Sequence, residues 1–190
     1  PLNSLADIRR MHAFDLPGHG GTPPRQTQLT AESLAQLSMD FADRSGLERF
    51  DLIGHSFGAA VAAIIASRWP ERVRRLVMTS LGTARSPLEF NTLKQVHAGM
   101  SMALPWWRPW LALTRPWSVQ SQPWIDWIVR QPGMSRSIAG PFFERLPASD
   151  AEVNEGVSEF LKTDPLSALE TAISAGSPAF VESVRGIKTP

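Results

Sequence analysis

The run Gly54-His55-Ser56-Phe57-Gly58 is where residue types and spacing could do chemistry. A serine hydroxyl is a poor nucleophile at neutral pH. It needs a base beside it and hydrogen-bond donors where the attacked carbonyl oxygen becomes negative. Glycines two positions to either side suit a serine held on a sharp strand-to-helix turn, where strand and helix approach closely. The amide of Phe57 then lies at the positive end of the following helix, aimed at the developing oxyanion. Two glycines around a serine also arise by chance, so the surrounding elements must support the motif. A phosphate-binding loop requires a longer glycine spacing and a Lys-Ser/Thr ending, and a dinucleotide fingerprint is equally unsupported.

The elements around the motif have the order it needs. Arg10 to Leu16 predicts a strand ending near Phe14, closed by Pro17-Gly18-His19-Gly20. Leu34, Leu37 and Phe41 form a helical stripe, with Thr30 or Gln28 placed to cap it and Gly46 to end it. Phe50 to Ile53 predicts a strand, the motif turns it into an alanine-rich helix from Ala59 to Arg68, and Val73 to Thr79 predicts the next strand. Strands alternating with helices imply an α/β fold with a mostly parallel sheet. From Ser86 to about Trp127 the sequence predicts helices broken by prolines, followed by helices over Val153–Leu161 and Pro165–Ala175. The final residues, Val184 to Pro190, read as the approach to another strand.

Composition narrows the partners. The 190 residues, 43% hydrophobic, suit one globular core. Nineteen basic residues against eighteen acidic ones supply no electrostatic argument for nucleic acid. The absence of cysteine removes thiolate nucleophiles and cysteine-based zinc sites, and fits a reducing, cytoplasmic setting. No apolar run is long enough to span a bilayer, no signal peptide is evident, and the proposed chemistry requires neither metal nor organic cofactor.

Three blocks in order carry a resemblance. Asp15-Leu16-Pro17-Gly18-His19-Gly20, Ile53-Gly54-His55-Ser56-Phe57-Gly58-Ala59, and Pro70-Glu71-Arg72-Val73-Arg74-Arg75-Leu76-Val77 resemble the α/β-hydrolase superfamily, of the esterase, lactonase and C–C hydrolase type. They look like its loop after the fourth strand, its nucleophile elbow after the fifth, and its entry to the sixth. The resemblance implies a partial α/β-hydrolase fold in three parts: a core with the elbow over residues 1–85, a helical cap over 86–183, and a return toward the core over 184–190. It also implies a chain truncated at both ends. The family's oxyanion loop, catalytic acid and histidine belong to strands outside this order, which leaves Phe57 as the one oxyanion donor carried over.

None of the four histidines replaces the missing base. His12 falls in the first strand, His19 resembles a mainly structural loop histidine, the His55 side chain should leave in a different direction from Ser56, and His97 lies in the cap. The expected function of the complete protein is a serine hydrolase that forms an acyl-enzyme from a small, largely apolar ester-like substrate. An inert fragment, or an interaction protein that kept the fold without the chemistry, is the competing reading. The cluster Trp106, Trp107, Trp110, Trp124 and Trp127, extended by Phe142 and Phe143, is either the core of the cap or an apolar substrate pocket facing the elbow.

Overall fold

A computed structural model describes residues 7–80 and 86–189, except for the side chains of residues 118, 119, 142, 178, 179 and 182. Thr30 caps helix α1 (Ala31–Arg44): its side chain accepts from the Ser33 N–H, and Ser33 answers the Thr30 N–H. Strand β1 (Phe50–His55) runs into helix α2 (Phe57–Arg68), which crosses to strand β2 (Val73–Thr79). The strands pair in parallel, with Ile53 opposite Val77 and His55 opposite Thr79.

The expected strand at Arg10–Leu16 does not form. Strand β1 pairs with β2, and among the described residues no strand is available to complete a ladder with the earlier segment. Instead Phe14 stacks on Phe41, with ring centroids 4.4 Å apart, and His12 meets the same ring edge-on.

Helix α2 supplies the center of the core. Its eight consecutive buried residues, Ala59 to Ala66, are mostly small and let it lie close against both strands and α1. Gly54 shows how close. A Cβ there would fall 2.4 Å from the Gly58 carbonyl oxygen and 2.7 Å from the Ala59 Cα, so the crossing requires glycine at 54. The expected demand for a small residue at 58 is not met in the same way, because a Cβ on Gly58 would touch nothing within 4 Å. The crowding acts in one direction: the backbone at Gly58 is what Gly54 must accommodate.

The prolines do not break the next helix. Helix α3 (Pro87–Val129) runs for 43 residues through Pro105, Pro109, Pro116 and Pro123. Each proline removes one backbone donor, while contacts along the inward face hold the helix in place. Leu104 is buried with Leu166 and Ile173, and His97 hydrogen-bonds through Nδ1 to the Ile173 carbonyl at 2.9 Å. Helix α4 (Met134–Ala139) and a 3-10 turn (Gly140–Phe142) lead to helix α5 (Asp150–Leu161). A small separate core forms there from Val129, Ala139, Val153 and Val157.

Helices α6 (Pro165–Ala175) and α7 (Pro178–Arg185) return to α2. Phe180 is buried in the main core, ahead of the boundary expected at residue 183, and Val184 and Arg185 end a helix instead of approaching a strand. The return places Ile187 against the main core.

Buried polar contacts join α6 to the loop before α1. Asp164 caps α6 and accepts from the Ser167 N–H and hydroxyl at 2.8 and 2.7 Å, while Arg115 of α3 approaches it at 3.1 Å. The Asp164 N–H donates to the Gly18 carbonyl at 2.8 Å. Gly18, at φ +78°, packs so closely that a Cβ would lie 2.1 Å from the Ser167 hydroxyl. Glu170, 2% exposed, accepts from the Leu29 N–H at 2.8 Å and from Arg108 at 3.0 Å. Ser174 accepts from the Ala31 N–H at 2.6 Å.

Two stability changes test this arrangement by urea unfolding. Gly54→Ala is expected to destabilize the chain by about 1–3 kcal/mol or more, through overpacking at the β1–α2 crossing. Glu170→Ala is expected to cost about 1–3 kcal/mol, because the Leu29 N–H and Arg108 lose their buried acceptor. Unchanged midpoints and slopes would contradict the respective packing and hydrogen-bond roles.

Candidate active site

Ser56 occupies the single residue between β1 and α2, at φ 52° and ψ −122°. A side chain-bearing residue rarely adopts a positive φ, and here the surrounding contacts impose it. The Ser56 N–H donates to the Thr79 carbonyl at 2.9 Å, tying the turn to the end of β2, and its carbonyl accepts from the Ala59 N–H at 2.9 Å. Gly54 lets α2 leave immediately afterward. The Ser56 side chain makes no capping hydrogen bond to α2, and the residue is exposed. As the first residue of α2, Phe57 carries an N–H without an intrahelical acceptor.

The turn opens on a cleft of about 1290 Å³. His55, Ser56, Phe57 and Gly58 border one side. Leu16 and His19 contribute from the loop before α1, Phe90 and Leu93 from the start of α3, and Phe160 and Thr171 from α5 and α6. Phe180, Val184 and Arg185 bring α7 to the same wall. The arrangement presents a hydroxyl at a helix N-terminus within a predominantly apolar cleft, a setting suited to holding an uncharged carbonyl compound.

The expected tryptophan pocket is not formed. Trp106, Trp107, Trp110, Trp124 and Trp127 are between 60% and 79% exposed and do not border the cleft. They follow the outward side of α3, whereas Leu104 and the Arg108 and Arg115 ion pairs occupy its inward side. The same geometry rules out these tryptophans as the core of the cap. Phe143 does border the cleft, while the side chain of Phe142 lies outside the described residues.

The aromatic lining instead includes Phe57, Phe90, Phe160 and Phe180. Sequence periodicity could place Phe90 and Leu93 on one side of a helix. It could not show that this side meets the elbow, because that depends on the return of α6 and α7 to the core.

His19 borders the cleft, and its Nδ1 lies 3.1 Å from the Pro17 carbonyl oxygen. An acceptor oxygen requires that nitrogen to donate, which commits Nδ1 to the backbone. His97 is tied to Ile173 and also pairs with the Ser101 hydroxyl at 3.4 Å. Among the described residues, no histidine nitrogen and no carboxylate is hydrogen-bonded to the Ser56 hydroxyl. The described residues also contain no group of three or more histidine, aspartate or glutamate side chains placed to hold a metal.

Arg185 brings a guanidinium to the cleft wall, 5.7 Å from the centroid of the Phe90 ring, and an exposed charged pair lies away from the cleft. Arg74 hydrogen-bonds to Asp51 at 2.8 Å and holds that carboxyl below its ordinary range. The pair spans β2 and β1, three residues ahead of Gly54, and does not reach the cleft wall.

Known proteins resemble this chain in sequence over part of its length. The acetoin-cleaving-system dihydrolipoyllysine-residue acetyltransferase component of Cupriavidus necator is 39% identical over 79 residues, covering 42% of this chain and 21% of the relative. The 2-hydroxymuconate semialdehyde hydrolase of a Pseudomonas species is 35% identical over 88 residues, 46% of this chain and 31% of the relative. The pimeloyl-(acyl-carrier protein) methyl ester esterase of Nitrosomonas europaea is 37% identical over 79 residues, 42% of this chain and 29% of the relative. The chain thus spans less than a third of each of these relatives. A family model described as alpha/beta hydrolase fold matches residues 2–113, more than half of the sequence and the whole of the strand–Ser56–helix turn. The chain belongs to the alpha/beta-hydrolase fold family.

Proposed function

We propose that Ser56 is the nucleophile of a serine hydrolase, and that the complete protein acts on a small, largely apolar ester-like substrate. The observation that carries this reading is the positive φ of Ser56 at the N-terminus of α2, where the residue borders the cleft. A strained serine on a strand-to-helix turn presents its hydroxyl without committing it to the helix cap.

In the reaction, Ser56 Oγ bonds to the substrate carbonyl carbon while a base takes its proton. The carbonyl oxygen becomes an oxyanion, stabilized by the Phe57 N–H at the positive end of α2. Collapse breaks the bond to the leaving alkoxide, which receives the proton, and leaves an acyl-Ser56 ester. Water then attacks that ester, releases the acid and restores the hydroxyl. The sequence requires no cofactor for these steps, and its lack of cysteine fits a cytoplasmic setting. The relatives' names cover acetyl transfer, cleavage of a semialdehyde and ester hydrolysis, so they support carbonyl chemistry more strongly than any one substrate.

The base and acid belong to the complete enzyme in this reading, because no described side chain is paired with Ser56 in that role. That same observation favors a second reading, in which the fold serves as an interaction module without turnover.

A fluorophosphonate probe separates the two. It is expected to label the complete protein at Ser56, with both labeling and ester turnover abolished in Ser56→Ala; labeling that survives the substitution would contradict the assignment. Phe160→Ala is expected to change the relative rates toward short and long acyl esters severalfold by enlarging the cleft, while Trp106→Ala leaves that ratio unchanged. The opposite pattern, read from kcat/KM across an ester series, would return the pocket to the tryptophans.

A further inference from the structure

Among the described residues bordering the cleft there is no aspartate or glutamate, and apart from His19 and His55 the one ionizable side chain is Arg185. It is the last residue of α7, and it meets the start of α3 at Phe90. The guanidinium carbon stands 5.7 Å from the centroid of the Phe90 ring, a cation–π contact. Phe90 borders the same cleft, so the contact keeps the charge at the wall.

The fold leaves the guanidinium's donors free among the described residues. A basic residue in the last turn of a helix commonly serves the helix's free carbonyls, yet Arg185 makes neither a hydrogen bond nor an ion pair with any described residue. In this it differs from Arg108 and Arg115, which are matched by buried Glu170 and Asp164, and from Arg74, which is matched by Asp51. Lys94, one helical turn beyond Phe90, lies 5.6 Å from the same ring and is likewise without a carboxylate among the described residues. Two cations therefore share one ring with no described anion paired to either, and Glu89 does not border the cleft.

We propose that Arg185 binds a carboxylate carried by the substrate, so that the cleft takes a largely apolar carbonyl compound with one anionic end. The proposal rests on the assignment of Ser56 as nucleophile and deepens it: the uncharged carbonyl goes to the serine turn, and the carboxylate to the guanidinium at the end of α7. A planar guanidinium presents paired N–H donors that match the two oxygens of a carboxylate. A single negative charge also matches the single cation of the wall, whereas a phosphate monoester brings more charge than Arg185 balances. The rest of the wall is mostly apolar and holds no described carboxylate to repel an anion. An apolar chain bound along it displaces water, and the pairing gains strength over that of an open surface. A cationic substrate would meet Arg185 with no described carboxylate on the wall to receive it.

Two esters of equal acyl length test the proposal on the complete protein: a p-nitrophenyl ester whose acyl chain ends in a carboxylate, and its analogue ending in a neutral carboxamide. The wild type is expected to favor the carboxylate ester by about tenfold in kcat/KM, mainly through KM. In Arg185→Gln that preference is expected to disappear, and in Arg185→Lys to survive in part. Arg185 is exposed, and its variants are expected to fold as the wild type does. Calorimetric binding of the same esters to Ser56→Ala reads the contact without turnover, with the same preference expected and its loss when Arg185→Gln is added. Turnover of both esters without preference, or a preference that survives Arg185→Gln, would overturn the proposal and leave Ser56 as the nucleophile. Binding that keeps its dependence on Arg185 while neither ester is turned over would sink the nucleophile assignment and leave the carboxylate site standing. Absence of both turnover and preference would remove the two together.

Discussion

Two buried carboxylates hold together parts of the chain that are remote in sequence. Asp164 and Glu170 lie at the start and middle of α6, and between them they engage α3, the Gly18 turn and the segment entering α1. An ion removed from water costs several kcal/mol unless charge and hydrogen bonds replace its hydration. Here each carboxylate meets a guanidinium and at least one backbone N–H. The requirement to satisfy both anions fixes α6 against the loop, and with it the distance between the serine turn and the far wall of the cleft. That connection adds to the packing of α7 and Phe180 on the main core in setting where the later helices stand relative to Ser56.

The serine turn is held by a different constraint. At Gly54 the backbone of α2 approaches within a distance that no Cβ could occupy, and Ser56 takes a positive φ to reverse direction in one residue. The small residues of α2 permit the approach, and the Ser56 N–H extends the β1–β2 ladder by one bond. Strain at the nucleophile position is thus distributed over a close-packed crossing. The sheet beneath it remains narrow, with Ile53 and Val77 paired across the strands and both exposed on its outer face.

Helix α3 illustrates how one helix can separate its roles by direction. Its inward residues supply Leu104 to a core and two arginines to buried anions, while the indoles turn away. Hydrophobicity alone would assign the tryptophans to the interior. The ion pairs reverse that assignment, because Arg108 and Arg115 reach Glu170 and Asp164 only if their side of the helix faces α6. The prolines then lie in a continuous helix whose position is fixed by these side chains more than by an unbroken set of backbone bonds.

Local rules made the elbow legible before any coordinates: Gly54, Ser56 and the alanine-rich run require a tight strand-to-helix crossing, and Thr30 specifies where α1 begins. Periodicity identified β1, β2 and the later helices for the same reason, since each pattern is written within a few consecutive residues. The segment at Arg10–Leu16 was different. Its alternation permits a strand, but a strand exists only where another backbone completes its hydrogen bonds, and none does so among the described residues. The lining of the cleft was likewise decided by tertiary structure. Composition located many large aromatics between residues 106 and 127, yet the pairing of Arg108 and Arg115 with two distant carboxylates turned the tryptophans toward solvent, and Phe90 and Phe160 border the cleft in their place.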